Sequence, residues 1–371
     1  MGYRKIILAV LISLITTSFA FAQSEALKVV VNNLAYYKQK NDLKYLAAAK
    51  KSADSLIITK SDTADLEKNT YRALVNSSIL YIDSLNKLNQ PEKLLPETST
   101  LVDKLSSNKK EYKFQAEIDY AKRCLANVYI RKGFEFTNNS DFTKAREAFD
   151  NARKYAPNFK QINDYIAYSN NKAGNLVDAA KYYSRLLAVD SNRAEYIETA
   201  SSIYKSLGDT SKALEILQKG RKVLPNDRFL LLDEANIYNN QKNYKALEPL
   251  IGPLLDINAN NADIAFVAAN CYDHLNKFDK AESLYLRTIE LNGSAYDPVF
   301  NLGLLYLKQS ANAKGGSEDQ DVGRAVQWLE KANEISPNNV QGLKALQLVY
   351  AKTGNKDQLD KINSKLKQLT N

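Results

Sequence analysis

The sequence holds one histidine, one methionine, one tryptophan and two cysteines in 371 residues. A single imidazole, His274, excludes metal sites built on two histidines and leaves no spare partner for a histidine-based triad. As the closing residue of an apolar helical run it reads as a surface histidine favoured by the helix dipole. Glycine (13) and proline (8) are thinly spread, which disfavours turn-rich β structure and favours long helices. No glycine-rich loop opens a helix: Ala313-Lys314-Gly315-Gly316 lacks the Lys-Ser/Thr ending of a phosphate cradle. Carboxylates are abundant, but no pair stands out from the helical charge background. No catalytic residue, metal or cofactor is therefore expected. Beyond the N-terminus, no apolar run approaches the roughly 20 residues that span a bilayer.

What is present begins with residues 1–22. Arg4 and Lys5 precede an apolar run from Ile6, Thr16, Thr17 and Ser18 interrupt it, and Ala20-Phe21-Ala22 stands before Gln23. This is the pattern of a cleaved signal peptide. The mature chain is expected to be exported, to the periplasm, the outer-membrane surface or the cell exterior, where nucleic acid is a poor partner.

Small and large residues then recur at a fixed interval of 34. Ala145, Ala179, Ala213, Leu247 and Ala281 are one period apart, and Ala325 follows after ten extra residues. Four residues after each lie Phe149, Tyr183, Leu217, Ile251, Tyr285 and Leu329. Upstream stand six small residues, Gly133, Ala167, Ser201, Ala235, Ala269 and Gly303, each followed three residues later by Phe136, Asn170, Tyr204, Tyr238, Tyr272 or Tyr306. Each unit reads as two antiparallel helices, with the small residue of the first expected against the alanine of the second. Lone hairpins cannot bury their faces, so neighbours must stack.

At these residues the chain resembles the tetratricopeptide repeat family over about residues 126–359, with six full units and a seventh, capping unit that begins at Val340. The resemblance implies an all-α, right-handed superhelical solenoid of antiparallel helix pairs. Residues 23–112 are helical but out of register and read as divergent hairpins before the array at 113–371. The ten extra residues, within Lys308–Arg324, are expected to form a surface loop. Pro249 and Pro253 should kink the second helix of the fourth unit or delay its start. Cys124 and Cys271, about four repeats apart in apolar contexts, read as buried small side chains rather than a bridge.

Net charge is +9, with the excess concentrated early: residues 121–190 hold 12 Lys and Arg against 7 Asp and Glu, among them Lys122, Arg123, Arg131 and Lys132. In arrays of the resembled family, exposed first-helix positions line a concave surface that binds peptides or helices. Carried over, that face comprises Asp164, Tyr165, Tyr168, Glu195, Glu198, Asp233, Asn236, Phe266, Asn270, Asp273, Asp297, Phe300 and Asn301. Asn236 and Asn270, one period apart, offer a donor and an acceptor each to a partner backbone. Adding Asp263, the face holds seven acids against Arg131, Lys172, Lys205 and Lys308. The expected function is non-catalytic binding of a protein or an extended basic peptide; the alternative is a glycan-associated protein using the face aromatics.

Overall fold

The computed structural model describes residues 25–312 and 318–370. The expected signal peptide lies outside the described residues. Among the described residues every regular element is helical. They form two compact units, one ending at Leu186 and one beginning at Leu187.

Unit 1 contains α1 (Glu25–Lys40), α2 (Leu43–Asp54), α3 (Leu66–Ile82), α4 (Leu94–Ser106), α5 (Gln115–Asn138), α6 (Phe142–Tyr155), α7 (Gln161–Lys172) and most of α8 (Leu176–Val189). Unit 2 contains α9 (Ala194–Ser206), α10 (Thr210–Val223), α11 (Arg228–Asn240), α12 (Tyr244–Ile257), α13 (Ala262–His274), α14 (Phe278–Leu291), α15 (Tyr296–Asn312), α16 (Glu318–Ile335), α17 (Val340–Thr353) and α18 (Lys356–Thr370). From α9 onward in unit 2, each helix packs on the next in chain order. In unit 1, α3 is a hub that also contacts α1, α2 and α5. Both cysteines are buried and free, one in each unit.

The 34-residue period is written into the turns. Ser140, Gly174, Gly208, Lys242 and Asn276 all take left-handed backbone, with φ between 54° and 80°. The next residue then donates its N–H to the carbonyl five positions back: Asp141 to Phe136, Asp209 to Tyr204 and Asn243 to Tyr238, each at 2.9 Å. This is a Schellman closure, which satisfies a carbonyl left over at the helix end. The same residue starts the following helix, since Asp141, Asp209 and Asn243 accept from the backbone N–H of Lys144, Lys212 and Ala246. One residue thus closes one helix with its backbone N–H and caps the next with its side chain, which keeps the hairpin turn short.

Two of the small sites show what the missing side chain makes room for. A Cβ on Gly133 would lie 2.4 Å from Phe149 Cε1, and one on Gly303 would lie 2.8 Å from Leu329 Cγ. At these two sites the small residue seats the bulky residue of the second helix. Phe149 and Leu329 are buried to 1% and 0% exposure as a result, and each such side chain contributes on the order of 2 kcal/mol of burial.

The expected late start of α12 and the expected loop of the insertion are corrected. Helix α12 runs unbroken from Tyr244 through both prolines, so there is no late start. Pro249 and Pro253 are four apart on the exposed face, while Leu247, Leu250, Ile251 and Leu254 are buried. The missing N–H groups leave carbonyls where water reaches them, and the apolar stripe holds the helix in place. The insertion, too, is largely helix: Lys308–Asn312 extends α15, and Glu318–Arg324 opens α16. Residues 313–317 lie outside the described residues. Glu318, Asp319 and Asp321 occupy the first turn of α16, where carboxylates suit the helix dipole. Lys352 of α17 pairs with Glu318 at 2.9 Å.

Candidate recognition face

In unit 1 the candidate residues on α7 join an aromatic cluster. Tyr165 lies 4.8 Å from Phe134 of α5, edge to face, and 5.2 Å from Phe149 of α6, so much of its ring serves packing. Tyr168 remains 42% exposed, with the Phe142 ring edge-on at 6.2 Å and Lys172 Nζ 5.7 Å above it. Asp164 is half-buried on the same helix. Of the expected basic patch, Arg131 is committed elsewhere: its guanidinium donates to the carbonyls of Leu80 (2.8 Å) and Tyr81 (3.3 Å), closing the end of α3.

In unit 2 the first helices divide into an open part and an internal part. On α9 and α11 the face is carboxylate-rich. Glu195 is exposed, Glu198 and Asp233 are partly so, and Asn236 is exposed. Burial and then the carboxylates of Asp227, Asp233 and Glu195 push the Glu198 carboxyl above its ordinary range. Two cations offset this locally: Lys205 Nζ is 2.8 Å from Asp233 Oδ2, and Arg193 is 3.5 Å from Glu195. Asp227 also caps α11, accepting from the N–H groups of Phe229 and Leu230. Its place in this cluster was not read from the sequence, where it looks only like a turn residue before a helix.

On α13 and α15 the expected ladder turns inward. The Tyr285 hydroxyl of α14 donates to Asn270 Oδ1 at 2.7 Å, with Asp273 Oδ2 at 3.2 Å. Asn301 Nδ2 donates to the same Asn270 oxygen at 3.0 Å, and Lys308 Nζ reaches Asp273 Oδ1 at 2.6 Å. Tyr285 is fully buried, and burial followed by the Asp273 charge drives its phenol pKa well up. The group stays protonated and serves as a donor. Asn270, Asp273 and Asn301 thus satisfy a buried hydroxyl, and Asn236 and Asn270 do not form a matched pair. Phe266 lies 6.1 Å from Tyr285, and Phe300 stacks on Tyr296 at 5.4 Å. Asp263 and Asp297 are exposed. The one signal for this network was a tyrosine at the bulky site of the second helix, whose hydroxyl requires a partner inside. His274 ends α13 and stacks on Tyr244, ring centroids 4.3 Å apart and planes within 7°.

The family profile described as tetratricopeptide repeat matches residues 135–194, from the end of α5 into the start of α9. Residues 135–194 thus carry tetratricopeptide repeat sequence. A 43 kDa receptor-associated protein of the synapse from Gallus gallus is 24% identical over 223 residues, covering 50% of this chain and 53% of the relative. The chain spans about half the length of that relative. Among solved structures, YrrB, a tetratricopeptide repeat protein described as having an unusual peptide-binding site, is 20% identical with a TM-score of 0.44, over 54% of this chain and 98% of its own. A tetratricopeptide repeat protein from Parabacteroides merdae is 17% identical with a TM-score of 0.41, over 66% of this chain and 99% of its own. Tetratricopeptide repeats indicate a protein–protein interaction scaffold. No group of three or more His, Cys, Asp or Glu able to hold a metal ion occurs among the described residues. No helix among them is long and apolar enough to cross a membrane.

Proposed function

We propose that this protein is a non-catalytic adaptor of the bacterial cell envelope, exported by residues 1–22, whose first-helix face in unit 2 receives an extended peptide carrying lysine or arginine. The observation that supports it is the crowding of Glu195, Glu198, Asp227 and Asp233, which drives the Glu198 carboxyl upward. Like charges held together favour a cation that relieves them, and they steer such a ligand in from solution. The name of the chicken relative speaks of association with a receptor; holding another protein is all of that name carried into this reading. The sugar alternative is less favoured, because Phe266 and Phe300 present ring surface to Tyr285 and Tyr296.

The test is stopped-flow association of a lysine-rich peptide with the full chain. Changing Glu195, Glu198 and Asp233 together to their amides should slow association several-fold and flatten its dependence on salt. Equal rates at low salt would remove the electrostatic basis of the proposal.

A further inference from the structure

The acidic face of unit 2 already holds a cation. Lys205, in the last turn of α9, reaches to α11 and places Nζ 2.8 Å from Asp233 Oδ2, with the two side chains 34% and 33% exposed. The second such pair, Lys308 on Asp273, is built differently: that carboxylate side chain is 9% exposed and also faces the Tyr285 hydroxyl. Removing Lys308 would strand a buried charge, so it belongs to the core. Asp233 opens to water, and an ion pair so exposed is weak and easily exchanged.

Resting on the basic-peptide reading above, we infer that Lys205 is an intramolecular competitor: its ammonium occupies the place on Asp233 that a ligand lysine or arginine takes, and binding displaces it into solvent. The exchange swaps one ammonium for another on the same oxygen, so a single free cation gains almost nothing there. A segment with several cations does gain, because its other anchors on Glu195 and Glu198 make the exchange at Asp233 an intramolecular step. The contact therefore sets a threshold of ligand charge density, below which the face stays self-occupied.

The experiment uses the full chain and a fluorescent heptapeptide alternating lysine with leucine and proline. Lys205→Gln should bind it about two- to fivefold tighter, whereas Lys205→Arg, which keeps the competitor, should match the wild type. Lys222→Gln, an equal charge change on the exposed side of α10, should gain only at low salt and lose that gain at about 0.3 M, where the long-range field is screened. In the wild type, acylation of the Lys205 amine, read by mass spectrometry, should rise when peptide is added, the reverse of the protection a direct contact gives. Unchanged or weaker binding by Lys205→Gln at about 0.3 M salt, or protection of Lys205 by peptide, overturns the competitor. Absence of binding by every protein at low salt overturns the peptide reading itself and the competitor with it.

Discussion

The two units place different chemistry on equivalent positions. One period apart on first helices stand Phe134 and Tyr168 in unit 1, 41% and 42% exposed, while unit 2 puts Asn236 and Asn270 at the same register. Residues 23–186 carry 27 Lys and Arg against 19 Asp and Glu; residues 187–371 carry 22 against 23. Yet Gly133 against Phe149 in unit 1 and Gly303 against Leu329 in unit 2 are the same packing device. Stacking rests on buried small–large pairs, which leaves exposed positions of the face, such as Asn236 and Tyr168, free to differ between units. What a given unit recognises is then set by its face, not by its repeat.

The sharpest way to break the shared part of this comparison is Gly133→Ala. The new methyl would meet the Phe149 ring at 2.4–2.7 Å, and that ring is itself buried against Phe134 and Tyr165. Denaturant titration should show a loss of about 1–3 kcal/mol. Gly252→Ala, in the exposed face of α12 with no atom within 4 Å of the new Cβ, should instead gain up to about 1 kcal/mol from helix propensity. Equal effects of the two would mean that the small site seats nothing.

A smaller effect is expected from Tyr285→Phe, which tests whether the inward ladder of unit 2 is structural. Asn270 keeps its bond from Asn301, but Asp273 loses a donor in a buried place. The expected cost is about 1–2 kcal/mol, with peptide association unchanged. An unaltered midpoint together with altered binding would return Asn270 and Asp273 to the recognition face.

How far the sequence carried the account follows from what each residue faces. The hairpins were legible because small and large residues must meet at one period, and because Asp and Asn at helix starts have few other uses. The Tyr285 network was not, since Asn270, Asp273 and Asn301 have the composition of a wet surface and only placement shows them bonded to a buried hydroxyl. The continuous start of α12 was missed for the same reason: the cost of a proline depends on which side of the helix loses its bonds. The insertion was read from its glycine and serine, whereas the acids that begin α16 and the buried Ser310 in α15 bring helix in from both sides.

The smallest effect concerns pH. Because burial and neighbouring carboxylates raise the Glu198 pKa in the folded state, that state holds its proton more tightly than the unfolded chain does. Its ionisation therefore opposes folding: stability is gained as pH falls through the raised pKa and lost as pH rises. Glu198→Gln should weaken this slope in unfolding measurements as pH rises from the ordinary glutamate range through the raised pKa. A bound ammonium favours the ionised carboxyl, so peptide affinity should rise over the same interval. Affinity that falls with rising pH would contradict the assignment of Glu198 to the face.

The central claim, that the first-helix face of unit 2 is where a basic segment binds, is tested most directly by photo-crosslinking. A benzophenone side chain would replace Asn236 on that face, Tyr168 on the unit 1 face, or Lys222 on the exposed side of α10, and each full chain would be irradiated with the lysine-rich heptapeptide. The account predicts crosslinks at position 236, suppressed by salt, and little at 168 or 222. Crosslinking at 222 or 168 that equals or exceeds that at 236 would contradict it.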